Sequence, residues 1–194
     1  KTPTAAEEIW DGVDTDGTNG AEGLVGAAGA SGVWNYIKTM NGVTFNGAAR
    51  KGSGTSNSDG SSSASGGSAW DFALTGSGDD MGAPGLTWGL GYGEKEANAV
   101  RTDEHSTIFA NYSAGMATFG YQKSEITSGA TGGTDELTDA WGIALNVNDN
   151  LSVSYGEREV EFDKPSAANV TEEGDGFAVS YTMGSIKVAG NHNS

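Results

Sequence analysis

Few residues in this sequence have the types and spacing that a metal-binding or catalytic site requires. The stretch DTDG at 14–17 resembles part of a calcium-binding loop. The full pattern also needs an Asp at position 12 and a Glu at position 23, where Gly12 and Gly23 stand. The sequence therefore indicates neither a dedicated metal site nor a cofactor, and adventitious calcium at Asp14 and Asp16 is a weak alternative.

The residues that often act in enzymes are not arranged for catalysis. His105 and His192 are far apart in sequence, and each is predicted in or near a loop. The glycine-rich stretch SGGSAWD lacks both the GxSxG form and the strand–turn–helix setting of a nucleophilic serine. No HExxH pattern and no phosphate-binding loop beside a helix is present. We therefore predict that the protein is not an enzyme.

The composition excludes several kinds of partner. The chain has 10 Lys and Arg against 26 Asp and Glu, a formal net charge of −16. That balance excludes nucleic acid, which requires a basic surface, and favours cations near the protein. The absence of cysteine excludes a disulfide framework. No apolar run approaches the ~20 residues of a membrane helix, whereas a membrane β-strand needs only ~10 alternating residues.

Period-2 alternation predicts ten β-strands after an irregular acidic segment. Residues 1–32 read as a loop with a short helix, and 33–194 as a β-meander. Hairpin turns are predicted at Asn41-Gly42, Ala114-Gly115, Asn148-Asp149-Asn150 and Gly184-Ser185. The longer links are polar and fall mostly at the opposite end of the strands. The strands are predicted at 33–39, 43–51, 69–76, 86–94, 106–114, 116–126, 139–147, 151–159, 176–183 and 186–190.

The two parities of these strands differ sharply. One carries aromatic and aliphatic residues without charge in the strand bodies, and the other carries mostly Ser, Thr, Asn, Gly and Ala. A soluble β-sandwich, as in a secreted or cell-surface adhesin or surface-layer protein, would bury the apolar face. Such a sheet usually exposes Lys, Glu and Arg on its wet face, which is not the composition found here. Short turns at one end and long loops at the other favour an antiparallel up-and-down transmembrane β-barrel.

Four stretches resemble the second half of alphaproteobacterial general porins of the Rhodobacter type. They are WDFALTGSG (70–78), GLTWGLGYGE (85–94), LTDAWGIALNVNDNLSVSYGE (137–157) and DGFAVSYTMGSIKVAG (175–190). The resemblance covers most of 33–190, and the order of strands and turns carries it more than any single string. It implies a barrel of about sixteen strands, about ten of them present here. On this basis we expect the sequence to be part of a longer chain, beginning in the loop that narrows the pore.

The resemblance also implies a function. The implied function is that of a general diffusion porin in the outer membrane of a Gram-negative bacterium, which lets small hydrophilic solutes and ions pass. We expect a preference for cations from the net charge. The partners implied are outer-membrane lipid and lipopolysaccharide, and two further copies in a homotrimer. Carboxylates on the inward loop would face basic groups on the wall and set ion preference. The acidic candidates are Glu7, Glu8, Asp11, Asp14 and Asp16, and the basic wall candidates are Arg50, Arg158 and Lys187.

Overall fold

The computed structural model describes residues 33–51, 68–98 and 101–194. These residues form one ten-stranded antiparallel sheet in which each strand pairs with the next along the chain. Residues 1–32, with their predicted loop and helix, lie outside the described residues. The strands are β1 (Val33–Met40), β2 (Val43–Arg50), β3 (Ala69–Ser77), β4 (Leu86–Asn98), β5 (Arg101–Ala114), β6 (Ala117–Thr127), β7 (Asp135–Asn146), β8 (Leu151–Asp163), β9 (Val170–Met183) and β10 (Ile186–Asn193).

The predicted fold class is confirmed: the protein is all-β, antiparallel and up-and-down. β1 and β10 stand at opposite ends of the strand order and do not pair with each other, so the ten strands form an open sheet. This arrangement is consistent with part of a β-barrel wall. Among the described residues, no helix is long and apolar enough to cross a membrane.

Tight turns join several strands where the sequence predicted them. Asn41 and Gly42 both have positive φ, at 49° and 75°, as a two-residue turn that follows the twist of its strands requires. Gly184 has φ 61° in the turn between β9 and β10. The link from β3 to β4 is longer and holds a short 3-10 helix, Asp79–Met81.

The strands extend further than predicted at the end opposite these turns, here called the rim. β4 and β5 were expected to be joined by a link at 95–105, yet their pairing continues to Asn98 and Arg101. β9 begins at Val170, not at 176. Most of these rim residues are polar or charged on both parities, so hydrophobic alternation does not reveal them, but their backbones still pair with neighbouring strands. Val160 and Phe162 of β8 are apolar exceptions, and both lie on the polar face. Much of the predicted asymmetry in loop length is thus an extension of the sheet.

Both histidines lie within strands of the sheet. His105 is within β5, opposite Gly93 of β4, and not in or near a loop. His192 is within β10, opposite Phe177 of β9. Both placements follow from the extra length of the strands.

The sheet has an apolar face and a polar face, and each cross-strand pair keeps its parity. The apolar face carries Phe45, Leu74, Leu90, Ile108, Phe119, Ile143, Tyr155, Phe177 and Val188. The polar face carries Asn46, Ala73, Thr107, Ser124, Thr138, Ser154, Ser180 and Ala189. This division agrees with the predicted parities, but the apolar face is not free of charge as predicted, because Lys38 stands opposite Phe45 and Lys123 opposite Ile108.

Burial is the reverse of that in a soluble protein. On the apolar face Tyr112, Phe119 and Phe177 are 51%, 49% and 48% exposed. On the polar face Gln122 and Thr138 are fully buried. The buried hydrophobic side chains of the described residues are few and mostly small: Ala69, Ala73, Phe109, Ala140 and Val160. An apolar core is therefore not what holds this sheet in shape.

Candidate functional site

The polar face is a wall of hydroxyl and amide groups in the middle of the sheet. The Thr107 and Ser124 hydroxyls are 2.8 Å apart, and Gln122 Nε2 donates to Ser124 Oγ at 3.0 Å. Alternation on β5 and β6 places these three side chains on one face, and the cross-strand register brings them together. Such groups both donate and accept hydrogen bonds, as water and hydroxylated solutes require.

A partly buried ion pair lies on the same face nearer the rim. Arg158 Nη2 donates to Glu172 Oε1 at 2.8 Å, and the Arg158 side chain is 6% exposed against 43% for Glu172. Pairing of β8 with β9 sets Arg158 opposite Gly174, whose lack of a side chain leaves room for the guanidinium. Arg158 was predicted as a wall cation, and it does lie on the polar face.

The other two basic candidates are also on the polar face, but not beside Arg158. Arg50 ends β2 at the rim, opposite Ala69. Lys187 is exposed beside the Gly184-Ser185 turn, at the other end of the strands, opposite Thr182. The structure therefore brings Arg50 and Arg158 to the same end of the sheet and leaves Lys187 at the opposite end.

The predicted acidic residues cannot be placed against this wall. Glu7, Glu8, Asp11, Asp14 and Asp16 all lie outside the described residues, and so does the weak calcium pair among them. Within the part of the chain that is described, no group of three or more His, Cys, Asp or Glu could hold a metal ion.

Sequence reasoning missed several charged groups on the polar face at the rim. Lys95 of β4 stands opposite both Ala69 and Asp103. Arg101 Nε donates to Asp103 Oδ1 at 3.1 Å. Asp71 and His105 flank Gly93 one row further from the rim. Asp71 lies in a predicted strand, 69–76, whereas Lys95, Arg101, Asp103 and His105 were assigned to a link. Alternation counted back from the predicted strand at 106–114 is the signal that could have found these four residues.

The apolar face ends toward the rim in a band where aromatic donors meet carboxylates. Trp70 Nε1 donates to Glu94 Oε2 at 3.3 Å, and Tyr92 donates its hydroxyl to Glu104 Oε2 at 2.8 Å. Trp141 Nε1 donates to Glu157 Oε2 at 3.2 Å. The band marks a boundary, with apolar side chains on one side and charged ones on the other.

No protein-family model matches the chain, and no curated protein matches it at a significant level. The functional assignment therefore depends on the geometry of the two faces and on the resemblance described above.

Proposed function

We propose that the protein is a passive diffusion channel of a bacterial outer membrane, for small hydrophilic solutes and ions. One observation carries the proposal: a single meander sheet exposes its aromatic and aliphatic face and buries its Ser, Thr, Asn and Gln face. Apolar surface of this extent is costly in water but stable against lipid tails. Polar groups on the other face suit a wall that borders water.

The aromatic–carboxylate band supports the same proposal. Tyr and Trp are enriched where a membrane meets water, because one part of each ring system is apolar and the other donates a hydrogen bond. Trp70, Tyr92, Tyr121, Trp141 and Tyr155 all lie in this band, and each donates to a carboxylate. The next row toward the turns carries Leu145, Val153 and Val179, as lipid contact would favour.

Further properties of the proposal come from the porin resemblance. They are a barrel of about sixteen strands, a homotrimer, contact with lipopolysaccharide and placement in a Gram-negative outer membrane. Cation preference is proposed from the net charge of −16.

The test is single-channel conductance in a planar bilayer, with the reversal potential measured in a KCl gradient. We expect stepwise channels that favour potassium over chloride. Absence of channels, or clear anion selectivity, would count against the proposal. Recovery of the protein in the aqueous phase of a detergent-partition experiment would favour a surface β-protein instead.

Two lysine variants give this experiment a matched control. Lys95→Gln removes a positive charge from the polar face, and Lys123→Gln removes one from the apolar face, where it pairs with Asp139 at 3.3 Å. If ions pass along the polar face, only Lys95→Gln should raise the potassium-to-chloride permeability ratio, by about twofold at low salt. Equal effects of the two variants would contradict this assignment of the faces.

A further inference from the structure

The apolar face carries a groove at the level of the aromatic–carboxylate band, across β6 to β9. Its volume is about 700 Å³. Three aromatic side chains and several carboxylates line it, and the defining ones are Tyr121, Trp141, Tyr155, Glu157, Glu173 and Asp175. We call it the rim groove.

Strand register explains why the rim groove is amphipathic. Tyr121, Trp141, Glu157 and Asp175 occupy one cross-strand row. The next row toward the rim is charged and includes Glu159 and Glu173, which are directly opposite each other. On the other side of the central row the residues are apolar or aromatic, including Tyr155 opposite an exposed Phe177. One wall of the groove is therefore acidic and the other is aromatic.

Ring donors hold the carboxylates in place. Glu157 accepts hydrogen bonds from Trp141 Nε1, at 3.2 Å, and from the Tyr155 hydroxyl. The Trp141 and Tyr155 rings meet edge to face, with centroids 5.8 Å apart. These contacts fix the relative positions of the aromatic and acidic walls before any ligand arrives.

The groove has an excess of negative charge. Among the described residues, two ion pairs reach its lining: Lys123 Nζ with Asp139 Oδ2 at 3.3 Å, and Arg158, itself a lining residue, with Glu172 at 2.8 Å. Arg158 pairs with Glu172, which lies on the polar face of the sheet. Glu157, Glu159, Glu173 and Asp175 thus give the groove a negative field that a cationic group would complement.

The lining favours an organic cation over a metal ion. The described residues hold no group of three or more His, Cys, Asp or Glu that could hold a metal ion. An ammonium group is attracted by aromatic faces and donates N–H hydrogen bonds to carboxylates, so it uses both walls of the groove.

We propose that the rim groove binds the alkylammonium headgroup of an amphiphile, whose apolar chain lies along the apolar face past Phe177. The inference rests on the proposed function, because a membrane would place an amphiphile's headgroup at the level of the aromatic band. Charge complementarity selects the headgroup, and the exposed apolar rows beyond Tyr155 accept the chain.

The experiment measures binding of dodecylammonium to the full chain in a neutral detergent, by native mass spectrometry and by intrinsic tryptophan fluorescence. We expect saturable binding, at least about tenfold tighter than that of dodecanol or dodecyl sulfate, which share the chain but lack the cation. Equal binding of all three amphiphiles would show partition into apolar surface only and would overturn the proposal.

Matched variants test the site itself. The pair Glu157→Gln and Asp175→Asn neutralises two charges within the groove, and the pair Glu125→Gln and Glu161→Gln neutralises two on the same face outside it. We expect about a tenfold rise in Kd for the first double variant and less than a twofold change for the second. Equal losses would overturn the proposal, because they would show a general charge effect.

A third variant keeps the test valid if the first double variant does not fold. Trp141→Leu removes the central ring without changing charge, and we expect it to weaken dodecylammonium binding several-fold. Unchanged binding would overturn the proposal, as would saturable binding of calcium alone in place of dodecylammonium. Channel activity separates this failure from failure of the proposed function: a chain that conducts ions but does not bind dodecylammonium refutes only the groove.

Discussion

At the scale of single residues, the polar face is packed closely enough that some glycines are required. Gly89 of β4 stands opposite Phe109 of β5. A Cβ built on Gly89 would overlap the Phe109 ring, which is 7% exposed. Phe109 is also the one buried aromatic of the described residues, and it lies on the polar face. The absence of a side chain at Gly89 thus leaves the space that the Phe109 ring occupies.

Gly89→Ala should therefore destabilise the protein by about 1–3 kcal/mol, because the ring must shift or the strands must separate. The measurement is the urea midpoint of unfolding from detergent or lipid. Gly190→Ala is the control, since its added Cβ would meet nothing within 4 Å and should leave the midpoint nearly unchanged. In a Phe109→Leu background the cost of Gly89→Ala should fall by at least half; an undiminished cost would refute the ring contact as its cause.

At the scale of elements, residues next to each other in one strand lie on opposite faces of the sheet and so meet different surroundings. On β9, Val179 is on the apolar face opposite Val153 and is 38% exposed. Ser180 is next in sequence, half-buried on the polar face, with its hydroxyl 3.4 Å from that of Ser152. A lipid environment and an aqueous one impose opposite costs on these two positions.

Val179→Arg should reduce stability in lipid vesicles by about 2–4 kcal/mol, because a charge on the apolar face would enter hydrocarbon. Ser180→Arg should cost clearly less, since its side chain would extend toward a polar wall. Reversible urea titration of both variants in phosphatidylcholine vesicles gives the comparison. A soluble sheet predicts the opposite order, with Val179→Arg harmless on an already exposed face.

The elements also show how far sequence reasoning reaches. All ten strands, both faces and the tight turns at Asn41-Gly42 and Gly184-Ser185 were predicted from alternation and turn residues, and the structure confirms them. The rim ends of β4, β5, β8 and β9 were missed. Charged residues occupy both parities at 95–96, 103–104 and 172–173, so no apolar period marks a strand there, whereas in the missed end of β8 Val160 and Phe162 do alternate with acidic residues. Only the hydrogen-bonding partner across the sheet decides that such residues are extended.

At the scale of the whole molecule, the chain is strongly acidic, with a net charge of −16. Charges of one sign along a path attract mobile counter-ions and raise their local concentration. This field is long-range in dilute salt and short-range in concentrated salt. If the protein is a channel, its ion preference should therefore depend on ionic strength.

We expect the potassium-to-chloride permeability ratio to fall as KCl is raised from 0.1 M to 1 M. The Debye length shortens over that range from about 10 Å to about 3 Å, so fewer fixed charges act on an ion in transit. Reversal potentials at a constant concentration ratio, measured at both mean concentrations, check this. A ratio that does not change with salt would assign selectivity to close contacts at a constriction instead.

The sequence by itself determined the fold class, the strand order and the character of each face, because these depend on local signals: a period of two, turn residues and strand-sized spacing. It also placed Arg50, Arg158 and Lys187 on the polar face, since parity alone requires that. The roles of these residues in ion passage remain a prediction.

Only the tertiary structure decided which side chains meet. Register across β6 to β9 brings Tyr121, Trp141, Glu157 and Asp175 into one row, although they are far apart in sequence. It also pairs Arg158 with Glu172. Alternation is a property of one strand, whereas a groove or an ion pair depends on the alignment between strands, which backbone hydrogen bonds and turn lengths establish together.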